Sequence, residues 1–332
     1  MNFNMKNNIT FTLVSTTYNE ISSINETIKT IEAQTLKPDN IIIVDAKSND
    51  GTIDVLNNWA QKSNICIKII IKEKCTISEG RNIAIKNANT PIIVSTDFGC
   101  SFNPHWLEKI IKPFYEDPEV EVSGTNYTLK KDKNPNFISK IDFIAQGGYL
   151  QEMKDDFVLG NRSIAYKKYV WEKIGGYPEW LKAAADDTIF WNKIKENNFK
   201  YMFINEHLVF WTRPNKLNGF IKEAVRYGFG DGESNTNLRK FISLNVEYIC
   251  KLLFPVFIVY SFLFPSFTIY AALLLSSFGL RSSFRTYKNW LKVKSSTYNL
   301  LLLPFAFLLV DYQNLSYLSG YIKGYLHKLN NK

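Results

Sequence analysis

The chain has 332 residues, of which 45% are hydrophobic and 21% charged, and it carries a formal net charge of +9. Its length accommodates one large α/β domain with an appendage or two ordinary domains. The positive charge indicates an anionic partner, either a phosphorylated substrate or lipid headgroups, because no basic stripe, helix-turn-helix or zinc-knuckle spacing points to nucleic acid.

Short apolar segments alternate with amphipathic segments through the first hundred residues. The predicted strands are residues 11–15, 41–44, 67–71 and 92–95. The predicted helices are residues 24–33, 52–60 and 78–88. This alternation predicts an α/β fold with a Rossmann-like, mostly parallel sheet and helices on both faces.

The alternation becomes irregular after residue 104. A helix is predicted at residues 106–115, a strand at 120–125 and a mobile loop at 130–136, where the sequence is polar and basic. A later helix is predicted at residues 188–197. Asp186 and Asp187 precede it, and acidic residues are favoured in the first turn of a helix.

The C-terminal quarter contains the long apolar segments. Residues 252–280 carry no charge but include Pro255 and Pro265, and residues 300–310 form a second apolar run. Both runs have basic flanks, so we expect the first to fold as a proline-broken hairpin or re-entrant pair and the second to lie at the membrane interface. Two full spans remain an alternative. The N-terminus has no signal-peptide pattern, which predicts a catalytic domain on the cytoplasmic side of the cell membrane.

Polar residues follow the predicted strands directly, in loops at residues 16–20, 45–50 and 97–101. In parallel sheets ligands bind at the carboxyl ends of the strands, so these loops should line one crevice. A single aspartate at such a position is weak evidence, because aspartate also caps helices and forms turns. The order of the motifs is more informative. It is STTYNE, VDAKSNDGT, EGRNIAIKNA and STDFGC, then GNRSIAYKKYVWEKIGGYPEW, ADDTIFWNKIKENNFKY and VRYGFGDG.

This series resembles the inverting family 2 glycosyltransferases, which have the GT-A fold, over roughly residues 10–320. The resemblance implies a catalytic domain at residues 1–240 and a membrane-associated helical region at residues 241–332. Within the catalytic domain, residues 10–125 would bind the nucleotide sugar and residues 126–240 the acceptor. The nucleotide-sugar-binding residues that it implies are Thr16, Thr17, Asn19, Glu20, Asp45, Ser48, Arg81 and Asp97.

The resemblance also implies a divalent cation, Mg²⁺ or Mn²⁺, with Asp97 as the first acid of the family's DxD motif. Gly99 stands where a second aspartate is common, so one metal ligand is missing. A cation can still bind through one carboxylate, diphosphate oxygens and water, because Mg²⁺ needs few protein ligands.

Asp187 corresponds to the aspartate that acts as general base on the acceptor hydroxyl. Two alternatives are that Asp186 is the base, or that Asp187 is a helix cap. Arg226 lies in RYGFGDG, which we expect to be a loop that also carries Asp231. It corresponds to an arginine near the acceptor and the diphosphate, although it also fits a solvated surface position.

The expected function is therefore hexosyl transfer, with inversion, from a nucleotide-diphosphate sugar to a lipid-linked or cell-envelope glycan. Two alternatives remain open. The first is transfer to a polyprenyl phosphate, and the second is a nucleotide-sugar-binding scaffold without activity. The sequence does not indicate the oligomeric state.

Overall fold

The computed structural model describes residues 9–130, 134–148 and 159–331. The chain forms two compact units, one from residues 1–130 and 152–213 and the other from residues 131–151 and 214–332. Residues 131–133 of the predicted loop at 130–136 lie outside the described residues. The division at residue 240 into a catalytic domain and a membrane-associated helical region remains a prediction.

The described strands of the first unit form one sheet in the order β3-β2-β1-β4-β7-β6-β8-β5. Their bounds are β1 Phe11–Thr17, β2 Asn40–Asp45, β3 Cys66–Ile71, β4 Ile92–Asp97, β5 Cys100–Phe102, β6 Val122–Leu129, β7 Ile164–Lys167 and β8 Tyr201–Trp211. The strands β1 to β4 pair in parallel, whereas β7 runs antiparallel to both β4 and β6. The mostly parallel sheet predicted from the sequence is therefore confirmed.

Helices cover both faces of this sheet. They are α1 Ile24–Glu32, α2 Thr52–Lys62, α3 Ile77–Lys86, α4 Trp106–Glu116, α6 Lys168–Lys173 and α7 Asp186–Glu196. Alternate residues of a strand point to opposite faces. Leu13 accordingly packs in the core that contains Leu56 of α2, and Val14 packs in a second core with Ala84 of α3. Both cores contain apolar residues of the predicted strands, together with residues of β7, and the first core also contains residues of β8; neither of these two strands was predicted from the sequence.

One strand-end loop is shorter than the sequence suggested. Residues 97–101 were expected to form a polar loop, but Cys100–Phe102 forms β5 and pairs antiparallel with β8. The reason is aromatic packing, since Phe102 is buried and stacks on Trp106 with ring centroids 4.3 Å apart. The loop that follows β4 is therefore limited to Phe98 and Gly99.

The second unit is helical in its described part. It contains α5 Phe137–Gln146, α8 Leu217–Ser234, α9 Leu238–Leu263, α10 Ser266–Leu274, a π-helical turn Leu275–Gly279, α11 Arg281–Val293, a 3-10 turn Leu300–Leu302 and α12 Leu303–Asn330. Two helices, Leu238–Leu263 and Leu300–Asn330, are long and apolar enough to cross a membrane. Residues 266–279 and α11 together could form a third span, bent by 56°.

The proline-broken hairpin predicted for residues 252–280 is only partly correct. Pro255 lies inside α9 without ending it, and the chain breaks at Pro265, between α9 and α10. Pro255 lacks a backbone donor, but the helix continues to Leu263. The apolar run at 300–310 is also the beginning of a longer helix that ends at Asn330.

The glycine-rich VRYGFGDG motif was expected to be a loop, but it belongs to α8. Its glycines allow close contact with α12. A Cβ on Gly228 would lie 2.1 Å from the Tyr317 carbonyl oxygen, and one on Gly232 would lie 2.0 Å from that of Tyr321. Small residues four positions apart permit such close helix pairs. The prediction of a loop was wrong because these glycines serve helix packing.

Candidate active site

The loops after β1 and β2 are tied together by side-chain hydrogen bonds. Asp45, at the end of β2, is fully buried and accepts from the Ser48 backbone N–H at 2.6 Å and from the Ser48 hydroxyl at 2.7 Å. Ser48 Oγ in turn accepts from the backbone N–H of Asn19 at 2.8 Å. Asp45 and Ser48 therefore fix the position of the loop that carries Asn19 and Glu20.

Asn19 and Glu20 are also held by hydrogen bonds to the segment that follows β2. Asn19 has a positive φ of 56°, and its side-chain oxygen accepts from the Asn49 N–H at 2.9 Å. The Glu20 N–H donates to Thr52 Oγ1 at 2.9 Å. These reciprocal bonds give a preformed surface at the ends of two parallel strands, where polar ligands bind in sheets of this kind.

Thr17 offers the clearest sign of a ligand at this surface. It lies opposite Asp45 in the strand register and is 5% exposed. Its hydroxyl has no hydrogen-bond partner among the described residues. Because buried polar atoms are nearly always paired, this hydroxyl is suited to bind a polar ligand. Thr16 differs, since its methyl carbon would lie 2.7 Å from a Cβ on Gly80, so its methyl group packs against α3.

Arg81 joins two motifs that are distant in sequence. A capping box formed by Thr76 and Glu79 begins α3 and places Arg81 in its second turn. The buried guanidinium donates to Asp97 Oδ1 at 2.5 Å and also to Asp186 Oδ2. Burial disfavours its charge, but the Asp186 and Asp97 carboxylates outweigh that effect and raise the pKa of Arg81 above its usual value.

The position of Asp186 is fixed by a second hydrogen-bonded chain. Asn161 donates from Nδ2 to Asp186 Oδ2 at 2.9 Å and accepts from the Tyr177 hydroxyl at 2.7 Å. The Tyr177 ring stacks on Phe190 of α7 with centroids 4.1 Å apart. Asp186 is thus buried, and its Oδ2 accepts from both Arg81 and Asn161, which suits a residue that holds its neighbours in place.

Asn82 fixes the turn that carries Tyr177. Its Oδ1 accepts from the Tyr177 N–H and from Trp171 Nε1, both at 2.9 Å. The turn requires glycine at position 176. The φ of Gly176 is +72°, which side chains rarely adopt, and a Cβ there would lie 2.9 Å from Asn82 Oδ1. The motifs EGRN, STD, GNR, GGYP and ADD therefore meet in one network within the first unit.

Asp187 is the more available acid of the pair. It is half-buried at the second position of α7, and its Oδ1 accepts from the Thr188 N–H at 2.8 Å. Desolvation, together with the adjacent Asp186 carboxylate, raises the pKa of Asp187 to about 6, although Arg162 and Arg81 oppose the shift. A carboxylate with a raised pKa is a better proton acceptor at neutral pH.

Arg162 is a residue that the sequence analysis did not select. Its guanidinium lies 4.2 Å from the Trp211 ring centroid and 5.1 Å from that of Tyr127, and its Nε lies 3.8 Å from Asp97 Oδ2. Its position at the end of GNR, two residues before β7 begins, was the available signal. The aromatic contacts come from strands β6 and β8, which the local sequence does not reveal.

Arg226 lies in α8 of the second unit, where it is exposed and its guanidinium lies 5.3 Å from the Tyr227 ring centroid. Its predicted role near the acceptor and diphosphate remains a prediction. Asp231, which follows it, is buried and accepts from the Tyr317 hydroxyl at 2.7 Å, so this carboxylate joins α8 to α12.

Residues 12–174 match the profile of Glycosyl transferase family 2. An O-antigen chain rhamnosyltransferase of Salmonella typhimurium is 24% identical over 60% of this chain and 65% of the relative. A UDP-Glc:alpha-D-GlcNAc-diphosphoundecaprenol beta-1,3-glucosyltransferase of Escherichia coli is 32% identical over 36% of this chain and 47% of the relative. The chain thus spans about two thirds of the first relative's length and about half of the second's.

A solved structure shows the same fold. It is a mannosyltransferase from Pyrobaculum calidifontis in complex with GDP-Man and Mn²⁺, with a TM-score of 0.54 and 18% identity over 97% of this chain and 87% of that chain. This likeness confirms the GT-A fold expected from the sequence motifs.

Proposed function

Because this chain belongs to glycosyl transferase family 2, we propose that it transfers a hexosyl group, with inversion, from a nucleotide-diphosphate sugar to a lipid-linked or cell-envelope glycan. The observation that carries the proposal is the network in which Arg81 joins Asp97 of the STD motif to Asp186 of the acidic pair. This network brings donor-binding and catalytic motifs of the family into contact.

Asp187 is the proposed general base. Its carboxylate accepts the proton of an acceptor hydroxyl while that oxygen attacks the anomeric carbon of the donor. The bond from the anomeric carbon to the diphosphate oxygen breaks on the opposite side, so the configuration inverts. Asp186 is the less suitable base because its Oδ2 is already bonded to Arg81 and Asn161. We assign Asp186 to positioning.

The donor nucleotide is proposed to bind at the ends of β1 and β2. Thr17, whose buried hydroxyl has no hydrogen-bond partner among the described residues, ends β1, and Asp45 and Ser48 hold the loop of Asn19 in place. Charge-assisted hydrogen bonds from guanidinium groups are well suited to phosphate oxygens. Arg162, beside Asp97, is therefore a proposed partner of the diphosphate.

The residues present also fit a divalent cation. Asp97 is a half-buried carboxylate at the end of β4, and carboxylate oxygen is the ligand that Mg²⁺ and Mn²⁺ prefer. Among the described residues no group of three or more His, Cys, Asp or Glu side chains is placed to hold a metal ion. A bound cation would therefore depend on diphosphate oxygens as additional ligands, and it would neutralise charge on the leaving diphosphate.

Membrane attachment is supported by α11, in which polar side chains are buried and large apolar side chains are exposed. Its small polar residues Ser282 and Thr286 are buried, whereas Phe284 and Leu291 are exposed by 57% and 41%. The Ser282 hydroxyl donates to the buried Glu247 carboxylate at 2.8 Å. A helix with polar groups inside and aromatic groups outside favours a lipid surface.

The basic residues of α11 support the cytoplasmic face of the cell membrane as its location. The exposed cations are Arg281, Arg285, Lys288 and Lys292. Lys and Arg collect on cytoplasmic flanks, and the anionic lipids of that leaflet attract them. A lipid-linked acceptor would be available at the same surface, and the Escherichia coli relative is named for a diphosphoundecaprenol acceptor.

The test is turnover and binding with a panel of UDP-, GDP- and dTDP-sugars, with and without Mg²⁺ or Mn²⁺, on the full chain in detergent. Asp187→Asn is the test variant. Asp54→Asn is the matched control, because Asp54 also lies in the first turn of a helix and is exposed. We expect selective turnover that Asp187→Asn lowers by about 10²-fold or more and Asp54→Asn retains. Donor binding with no turnover in the parent would favour the scaffold alternative.

A comparison of polyprenyl phosphate with a preformed lipid-linked glycan identifies the acceptor class.

A further inference from the structure

Gly99 is the position at which this chain lacks the second acid of the metal motif. Its φ is +93°, a conformation that side chains rarely adopt. A Cβ at this position would lie 3.0 Å from Glu20 Oε2 and 3.5 Å from Ser23 Oγ. An aspartate here would therefore be strained and would approach the Glu20 carboxylate. The space that a side chain at position 99 would enter is filled by Glu20.

The Glu20 carboxylate is held in this place by short-range bonds. Ser23 Oγ donates to Glu20 Oε2 at 2.6 Å, and the Glu20 backbone carbonyl accepts from the N–H groups of Ser23 at 3.0 Å and Ile24 at 2.9 Å. The other carboxylate oxygen, Oε1, makes no hydrogen bond among the described residues. The side chain is thus anchored by one oxygen and can offer the other to a ligand.

We infer that Glu20 provides the second carboxylate ligand of a divalent cation, in place of the missing acid at position 99, with Asp97 as the first. This inference rests on the proposed function and assigns Glu20 to the metal instead of to the base and ribose. Mg²⁺ sites of phosphoryl substrates use one or two carboxylates together with substrate oxygens. With only two carboxylates, we expect tight cation binding only when a nucleoside diphosphate is present.

The test measures free Mn²⁺ by electron paramagnetic resonance while the full chain in detergent is titrated with Mn²⁺. Titrations are made without nucleotide and with UDP, GDP or dTDP. The variants are Glu20→Gln and Asp97→Asn. Glu26→Gln is the matched control, since Glu26 is an exposed acid in the helix that follows Glu20. Nucleotide binding without metal is measured for each protein in parallel.

We expect Glu20→Gln and Asp97→Asn each to weaken Mn²⁺ binding in the nucleotide complex by about 10-fold or more, whereas Glu26→Gln does not. Metal-free nucleotide binding by Glu20→Gln should equal that of the parent. Parental Mn²⁺ affinity in Glu20→Gln, or an equal loss of metal-free nucleotide binding, would overturn the inference. A parent that binds nucleotide but no Mn²⁺ overturns this inference alone. A parent that binds no nucleotide overturns the proposed function as well.

Discussion

Arg81 and Asp97 form a hydrogen-bonded ion pair of 2.5 Å between α3 and the end of β4. The same guanidinium also reaches Asp186, at the start of α7. The two carboxylates are bound by separate nitrogens of one planar guanidinium, Nη1 and Nη2, a spacing that the single ammonium of lysine does not reproduce. Arg81 therefore fixes the end of β4 relative to Asp186, the neighbour of the proposed base Asp187.

Replacement of Arg81 tests this arrangement. Arg81→Met leaves the buried Asp186 carboxylate without its cation, and breaking such a pair costs about 3–5 kcal/mol of unfolding free energy. Arg81→Lys retains the charge but not both contacts, so we expect a smaller loss of stability and a fall in kcat. Thermal unfolding and donor turnover measure the two effects. Full parental kcat in Arg81→Lys would show that bridging both carboxylates is unnecessary.

The raised pKa of Asp187, about 6, predicts an acid limb in the activity profile. A general base must be ionised, so kcat/KM should fall about tenfold per pH unit below that pKa. The charged groups that set this pKa are Asp186, Arg162 and Arg81. Asp187→Asn should lower kcat by about 10²-fold or more above that pKa, and by less below it, where the parent base is itself protonated.

Asp186→Asn is the control for this assignment. Loss of a neighbouring negative charge lowers the pKa of Asp187, so the acid limb should move to lower pH. If the acid limb of the pH–rate profile stays in place in Asp186→Asn, the assignment of Asp187 as general base is contradicted. The same assignment is contradicted if the residual activity of Asp187→Asn keeps the parental acid limb.

Much of the site was predictable from local patterns, because strand ends and helix starts are local features. Asp45 and Asp97 follow apolar strands directly, and the parallel order places their strand ends at the same edge. Arg162 was not predictable in this way, since its aromatic partners Trp211 and Tyr127 lie on strands that pair over long sequence distances. Local sequence alone also cannot distinguish a glycine that forms a turn from one, such as Gly228, that permits helix contact.

The contact between α8 and α12 predicts that added methyl groups destabilise the second unit. A Cβ on Gly232 would lie 2.0 Å from the Tyr321 carbonyl oxygen, and one on Gly324 would lie 1.9 Å from that of Phe229. Backbone atoms move together with their helix, so Gly232→Ala should cost about 3 kcal/mol or more, at the upper end of overpacking effects. Thermal unfolding in detergent measures it. The exposed Lys222→Ala is the control, and equal melting of both variants would contradict the contact.

The exposed cations of α11 predict a response to anionic lipid. In nanodiscs that contain phosphatidylglycerol, the amide hydrogens of residues 281–293 should exchange more slowly than in phosphatidylcholine nanodiscs. Replacing Arg281, Arg285, Lys288 and Lys292 by Gln should remove this difference, because each cation near an anionic surface contributes about 1 kcal/mol. Exchange that is equal in both lipids for the parent would show that α11 does not lie at the headgroups.

Arg162 provides a test of diphosphate recognition. Its guanidinium stacks on Trp211 and lies beside Asp97, so it is preorganised for an anionic group. Charge-assisted hydrogen bonds contribute about 1.5–3 kcal/mol, so Arg162→Gln should weaken binding of a nucleoside diphosphate by about 10- to 100-fold. Binding of the corresponding nucleoside should not change, because it lacks the phosphates. Arg213→Gln is the matched control, since Arg213 lies 5.6 Å from the same Trp211 ring centroid. Equal losses for nucleoside and diphosphate in Arg162→Gln would mean that Arg162 supports the fold of the site instead of contacting the donor.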